Sequence, residues 1–481
     1  MTERGPKRAE GLSPSWLPFL DIATPDLPLH RLIRLSLFQV SVGMALVLLV
    51  GTLNRVMIVE LGVPASLVGL MLALPLVVAP FRALIGFRSD THRCELGWRR
   101  VPFIWNGSLL QWGGFAIMPF ALLVLAGKGA SADAPAWIGQ GSAAIAFLLV
   151  GAGAHTVQTA GLALATDLTD PESHPKVVGL MYVMLLIGMI GSALIFGWAL
   201  TDYTPGRLVR VIHGAAAATL VLNAVAMWKQ ESRLTPGQTR EAAQQDPSFS
   251  ESWAHFCKGE RTTRRLAVVG LGTMAFGMAD ILLEPFGGQV LSLSVSATTR
   301  LTAILALGGL FGFAWASYSL GQRRNDPYLA ALIGVVVGLP AFGLVMAAAP
   351  LQVPPLFLLG NFLIGFGGAL FGHATLTATM SRAPAKQAGL AIGAWGAVQA
   401  TAAGVAVAFS GATRDLVTAL MGGAERAIAS GYHAVYALEI ALLLVTLMVT
   451  VPLLRKRRSA APTAESIGGD RVELAEATSS P

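Results

Sequence analysis

Residues Gly86–Arg100 read GFRSDTHRCELGWRR, a charged loop set between two long apolar runs. It holds four arginines, Asp90 and two glycines in a chain of which only 13% is charged. Arginines gathered in a short loop beside apolar runs stay on the side of a membrane where they need not be carried across. The loop also has the parts of a clasp. Between Gly86 and Gly97, Asp90 can pair with Arg93, Arg99 or Arg100, and a carboxylate–guanidinium pair there would pin two helix ends together.

The flanks of the loop extend this reading to the whole chain. Of 481 residues, 54% are hydrophobic and the mean hydropathy is +0.62. A soluble domain carries about 25% charged residues, and a run of about 20 apolar residues crosses a bilayer core. Twelve such spans are predicted, at 33–57, 65–87, 101–126, 137–165, 176–200, 209–229, 264–291, 298–320, 328–349, 354–380, 386–412 and 430–454. Alternate loops hold 26 Lys and Arg residues on one side and 7 on the other, with Arg82 inside the second span. That asymmetry predicts both termini in the cytoplasm. The net charge of +7 is then a topology signal and a surface for lipid headgroups, with no nucleic-acid partner expected. Cys94 and Cys257 fall in loops of the cytoplasmic side, so no disulfide is expected. No cleavable signal peptide is expected either, because the first 30 residues are polar and proline-rich.

The longest internal polar stretch, 230–263, divides the spans six and six. The expected organisation is an interfacial segment 1–32, a six-helix half 33–229, a cytoplasmic linker 230–263, a second half 264–454 and a disordered cytoplasmic tail 455–481. Two six-helix halves related by an axis along the membrane normal describe the major facilitator fold. A weak repeat agrees: GAGAHTVQTAG at 151–161 and GGALFGHATLTA at 367–378 each place one histidine after a glycine cluster. The pairs Gly308/Gly312, Gly334/Gly338, Gly368/Gly372 and Gly389/Gly393 predict close helix packing, with hinging as the alternative.

Ionisable residues inside spans are costly and therefore informative. Asp280 and Glu284 lie in MADILLEPFGG of the seventh span, where a spacing of four puts both on one face of a regular helix. Pro285 and the Gly287–Gly288 pair predict a kink next to Glu284. Three roles compete for Glu284: proton coupling, contact with a ligand, or structural pairing with freed backbone and an arginine such as Arg82. His155 and His373 are the histidines placed well inside spans. No second His or Cys stands at ligand spacing, so neither makes a zinc or iron site alone. One imidazole does suit the axial position of a metal already held by a macrocycle, and an interhelical hydrogen bond is the plainer alternative. In a major facilitator fold the first, fourth, seventh and tenth spans line the cavity. That geometry would bring Gln39, His155, Gln158, Asp280, Glu284 and His373 towards one interior. No nucleotide-binding loop, catalytic triad or metalloprotease motif appears, and no enzyme activity is expected.

Several stretches resemble the PucC/LhaA family, a branch of the major facilitator superfamily also called bacteriochlorophyll delivery proteins. They are FRALIGFRSDTHRCELGWRRVPFIWNGSLLQWGG (81–114), LALATDL (162–168), KVVGLMYVMLLIGMIG (176–191), DILLEPFGG (280–288) and LPFLDIATPDLPLHRLIRLSLFQVSVGM (17–44). The resemblance runs from about residue 16 to 455, and its 81–114 block is specific. It implies assembly of light-harvesting antenna complexes, the core complex slightly ahead of the peripheral one, in the intracytoplasmic membrane. Bacteriochlorophyll would be the cofactor, its magnesium meeting His155 or His373, with carotenoid or lipid as further ligands. Antenna polypeptides would be partners, with bacteriochlorophyll synthase and the insertion machinery as further candidates. The 86–100 loop departs from the tighter loop of ordinary major facilitator transporters by an insertion after Asp90. Two readings stay open beside assembly: a proton-coupled transporter of a small molecule, and a pigment-free scaffold.

Overall fold

The computed structural model describes residues 28–77, 85, 89, 97–127, 134–169, 174–231, 261–321, 326–351, 353–382, 388–422 and 425–454. All regular structure among them is helical. In lipid, a spanning segment must satisfy its backbone groups internally, and an apolar run with no strand partner does so as a helix. The helices are α1 (Leu29–Glu60), α2 (Ala65–Val77), α3 (Val101–Leu125), α4 (Ala136–Asp167), α5 (His174–Ala199) and α6 (Pro205–Met227). They continue as α7 (Thr262–Gln289), α8 (Val295–Gly321), α9 (Pro327–Leu351), α10 (Pro354–Arg382), α11 (Ala388–Leu420) and α12 (Glu425–Leu454).

Ten of these are long and apolar enough to cross a membrane. The other two are α2, helical as far as Val77, and α11, which is long but diluted by glycine, alanine and Gln399. Each lies on a predicted span. Helix α11 runs on to Leu420, past the expected end at 412, which places Arg414 within a helix rather than in a loop.

Glycines set the helix spacing. Gly107 of α3 and Gly153 of α4 meet backbone to backbone, as do Gly308 and Gly312 of α8 with Phe362 and Phe366 of α10. Gly334 of α9 faces Gly367 of α10, and Gly338 faces Phe276 of α7. A Cβ at any of these would drive the helices apart. Gly372, by contrast, faces open space and is not a packing glycine, so the expected Gly368/Gly372 pair does not act as one. The first six helices meet the last six along two seams. In one, Gly69 and Ala65 of α2 approach Val407 and Gly411 of α11; in the other, Leu186 and Gly197 of α5 approach Gly309 and Arg300 of α8.

The start of α1 and the end of α12 lie on one face of the bundle, called here the terminal face. Polar contacts between the two sets of helices cluster at the opposite, far end. Ser66 N–H donates to Asp415 at 2.7 Å, Ser296 Oγ to the Gly197 carbonyl at 2.5 Å, and Arg55 to the Leu293 carbonyl at 3.1 Å.

Candidate functional site

The far half of the interior is organised by the break in α7. The helix is regular from Thr262 to Gly277, passes through a 3-10 turn at Ala279–Ile281, and resumes at Leu283–Gln289. Pro285 lacks the N–H that would bond the carbonyl four residues earlier, so the Ile281 carbonyl is left open. Asn54 of α1 fills it, donating its side-chain amide at 2.7 Å. Helix α1 is itself widened there into π turns at Val47–Leu53 and Val56–Glu60. Such turns often mark functional sites. The predicted kink is therefore real, but the break lies before Glu284 and not at it. A proline fits within the first turn of the new helix, so the disruption falls on the preceding turn.

That displacement overturns the expectation of a shared carboxylate face. The 3-10 turn changes the angular step, and the two side chains diverge. Glu284 is buried, accepts a hydrogen bond from Thr302 of α8, and abuts Gly51 of α1 so closely that no Cβ would fit there. Asp280, by contrast, is exposed, although it lies deep among the helices. Arg82, the proposed arginine partner of Glu284, lies outside the described residues. Arg55 instead is the cation acting on Glu284, while it also pairs with Glu60. Next to them, on the loop after α5, burial and the Glu60 carboxylate raise the Tyr203 phenol above its usual range, and Arg55 opposes them.

Of the other expected cavity residues, Gln39 and Gln158 are brought together, Gln158 donating to Gln39 at 3.3 Å between α1 and α4. This pair sits towards the terminal face, well separated along α1 from Asn54 and the α7 break. The interior is thus layered rather than one shared cluster. His155 is half-buried on α4, and its carbonyl accepts a hydrogen bond from Thr159 at 2.7 Å. His373 is half-buried on α10 against Phe313 of α8, ring centroids 4.5 Å apart. It stands one turn towards the terminal face from Ala369, which meets Gly309 at the α5–α8 seam. His155 stands one turn from Gly151, which packs on Pro75 of α2. The two histidines therefore occupy matching places in their halves.

At the start of α3, Arg99 and Arg100 hold helix ends together through Asp167, Ser89 and Glu231, while the expected partner Asp90 falls where its pairing is not described. Gly86, Asp90 and Arg93 lie outside the described residues. Gly97 turns with a φ of 80°, and Arg100 reaches Asp167 at the end of α4 (3.1 Å) and Ser89 (2.6 Å). Arg99 reaches the same Asp167 oxygen at 3.3 Å. Glu231, just beyond α6, accepts from the backbone N–H groups of Arg99, Arg100 and Val101 at 2.9–3.1 Å. An anion at the start of α3 meets donors with no intrahelical partner and the positive end of the helix dipole.

Several polar residues of the interior were missed at the sequence level. At the far end, Gln289 of α7 accepts from Arg414 of α11 (2.6 Å) and Tyr432 of α12 (2.7 Å). The Arg414 guanidinium also lies 4.9 Å from the Tyr432 ring centre. Midway along α12, Glu439 is fully buried. It was legible as the single acid in YALEIALLLVTLMVTV, whereas the Gln289 cluster carries no local signal.

An all-helical bundle with glycine-set seams between two sets of six helices and a polar layered interior is a membrane protein of the major facilitator fold. A solved bacterial homologue of the human lysosomal transporter Spinster, inward-facing and unoccupied, superposes with a TM-score of 0.63 at 15% identity, covering 89% of this chain and 97% of that one. The family profile described as PUCC protein matches residues 52–458, and the chain belongs to that family. Protein PucC of Rhodovulum sulfidophilum is 61% identical over 411 residues, 85% of this chain and 90% of its own. The bacteriochlorophyll synthase 44.5 kDa chain of Rhodobacter capsulatus is 28% identical over 445 residues, 89% of this chain and 96% of its own.

Proposed function

We propose that this protein is an assembly factor for photosynthetic light-harvesting complexes, binding bacteriochlorophyll and handing it to antenna polypeptides. The observation that carries the reading is His373, an imidazole on an apolar helix face beside the Phe313 ring. A magnesium already held by a macrocycle needs one neutral axial ligand, and its flat apolar ring favours aromatic neighbours. His155, at the matching place in the other half, is the second candidate. The donor set fits the group. The kinship with a chain named for bacteriochlorophyll synthase points to the same chemistry. The pigment would supply light absorption, while this chain would bind it, keep it apart from water and present it to a client. Carotenoid or lipid fits the same apolar surfaces.

The client is an antenna polypeptide of the core or the peripheral complex, in the bacterial inner membrane, with both termini in the cytoplasm. Bacteriochlorophyll synthase and the insertion machinery would be neighbours in that role, which requires no enzyme activity of this chain. Purification in mild detergent should bring down bacteriochlorophyll, visible by absorbance, and His373→Ala with His155→Ala should lose it. Pigment-free protein that also fails to retain antenna polypeptides sinks the proposal. If pigment is absent but antenna polypeptides remain, the scaffold reading takes its place.

A second reading rests on the sealed far end and on Glu284 beneath it: a proton-coupled transporter of a small molecule or pigment precursor. In that case Glu284→Gln abolishes uptake into proteoliposomes while the protein stays folded.

A further inference from the structure

One buried carboxyl group serves neither reading above. Among the described residues, neither carboxyl oxygen of Glu439, midway along α12, finds a hydrogen-bond partner. The Ala279 amide lies beside them outside hydrogen-bond geometry. Among the described residues, the carboxyl neighbour of Glu439 is Asp280, on the α7 break. Tyr436, three residues before Glu439 and so on the same helix face, has a fully buried hydroxyl with no partner, also next to Glu439. Two carboxyl groups and a phenol thus lie near one another beside the turn that interrupts α7, and the oxygens of Glu439 and Tyr436 are buried without partners among the described residues.

No cation among the described residues acts on either carboxylate. Arg55 of α1 is engaged by Glu60 and Glu284, and Arg414 of α11 by Asp415 and Gln289. The described arginines of α7 lie at its terminal-face end, and α9 offers only Tyr328. From α12 itself, Tyr432 is bonded to Gln289, and the His433 ring lies tilted against Phe286, 6.2 Å between centroids. Two like charges facing each other in a medium of low dielectric repel strongly, and a cation between them turns that repulsion into attraction. Unwound helices inside membrane bundles supply carbonyl ligands for such ions. Asp280 gives the route in, because it alone of the three is exposed.

We propose that Asp280, Glu439 and Tyr436 form a binding site for a small monovalent cation, a proton or Na⁺. Occupancy would tie the broken middle of α7 to α12. The site is separate from Glu284, which Thr302 and Arg55 already satisfy in part, and it stands whether or not pigment binds.

The test uses the full-length protein in nanodiscs and dicyclohexylcarbodiimide, which attacks a protonated carboxyl in an apolar setting, with the adduct placed by mass spectrometry. An adduct on Glu439 or Asp280 that falls as pH rises and ignores Na⁺ identifies the proton. Protection by NaCl, and not by choline chloride, identifies Na⁺. Glu439→Gln should lose the adduct at that position. If that variant fails size-exclusion chromatography, Asp280→Asn, on the accessible side, serves instead and should weaken labelling of Glu439 or its protection. No adduct on either residue, an adduct confined to Glu284, or labelling indifferent to both pH and Na⁺ overturns the proposal.

Discussion

Pro285 and Asn54 act as one unit although 231 positions separate them in the chain. The proline removes a helix donor, and the asparagine replaces it on the Ile281 carbonyl. A buried carbonyl left without a donor costs about 1–3 kcal/mol, so Asn54→Ala should lower the melting temperature. Pro285→Ala restores an N–H that can close the helix onto the same carbonyl. In that background Asn54→Ala should cost less, and a double-mutant cycle by thermal denaturation should return a coupling of roughly 1 kcal/mol. Additive effects would show that the two residues act separately. The proline was readable from sequence as a break. Its asparagine was readable only as a polar residue near the far end, since nothing local to Asn54 points at Ile281.

At the scale of helices, hydropathy located the spans because lipid demands a minimum apolar length. It was silent on rotation: helices apolar on every side have no face that periodicity can assign. For that reason Gln39 and Gln158 were expected near Asp280 and Glu284 but lie a layer below them. The carboxylate face failed for a related reason. A spacing of four keeps side chains aligned only while the helix stays regular, and the turn at Ala279–Ile281 resets the phase. The loop motif shows the same division. Its arginines were legible as a clasp, but Asp167 and Glu231 come from the ends of α4 and α6, which only the fold brings to the start of α3. Glu231 takes the place of a helix cap. Glu231→Ala should therefore destabilise the protein by about 1 kcal/mol, read as a lower melting temperature. Glu231→Gln, which keeps an acceptor but loses the charge, should cost less. Equal losses for the two variants would mean that charge at the helix start contributes nothing.

Across the whole molecule, the polar contacts described between the two sets of helices lie in the far half, three of them at its end, while Asp280 is exposed. A far end fastened by these contacts, together with an exposed Asp280, predicts that the interior opens towards the terminal face. The arrangement can be tested without knowing any ligand. In a background with Cys94→Ser and Cys257→Ser, the pair Ser66→Cys and Asp415→Cys should cross-link readily, because the Ser66 amide and the Asp415 carboxylate are 2.7 Å apart. A separate Asp280→Cys variant should react with a membrane-impermeant maleimide supplied to the terminal face in vesicles that expose it, and not when the reagent is supplied to the far face of oppositely oriented ones. Combining the far-end cross-link with Asp280→Cys should leave that reactivity in place, since the cross-link only fastens an end already shut. Labelling from the far face, or loss of labelling after cross-linking, would place the opening at the other end and reverse the direction from which a cation or any larger guest reaches the interior.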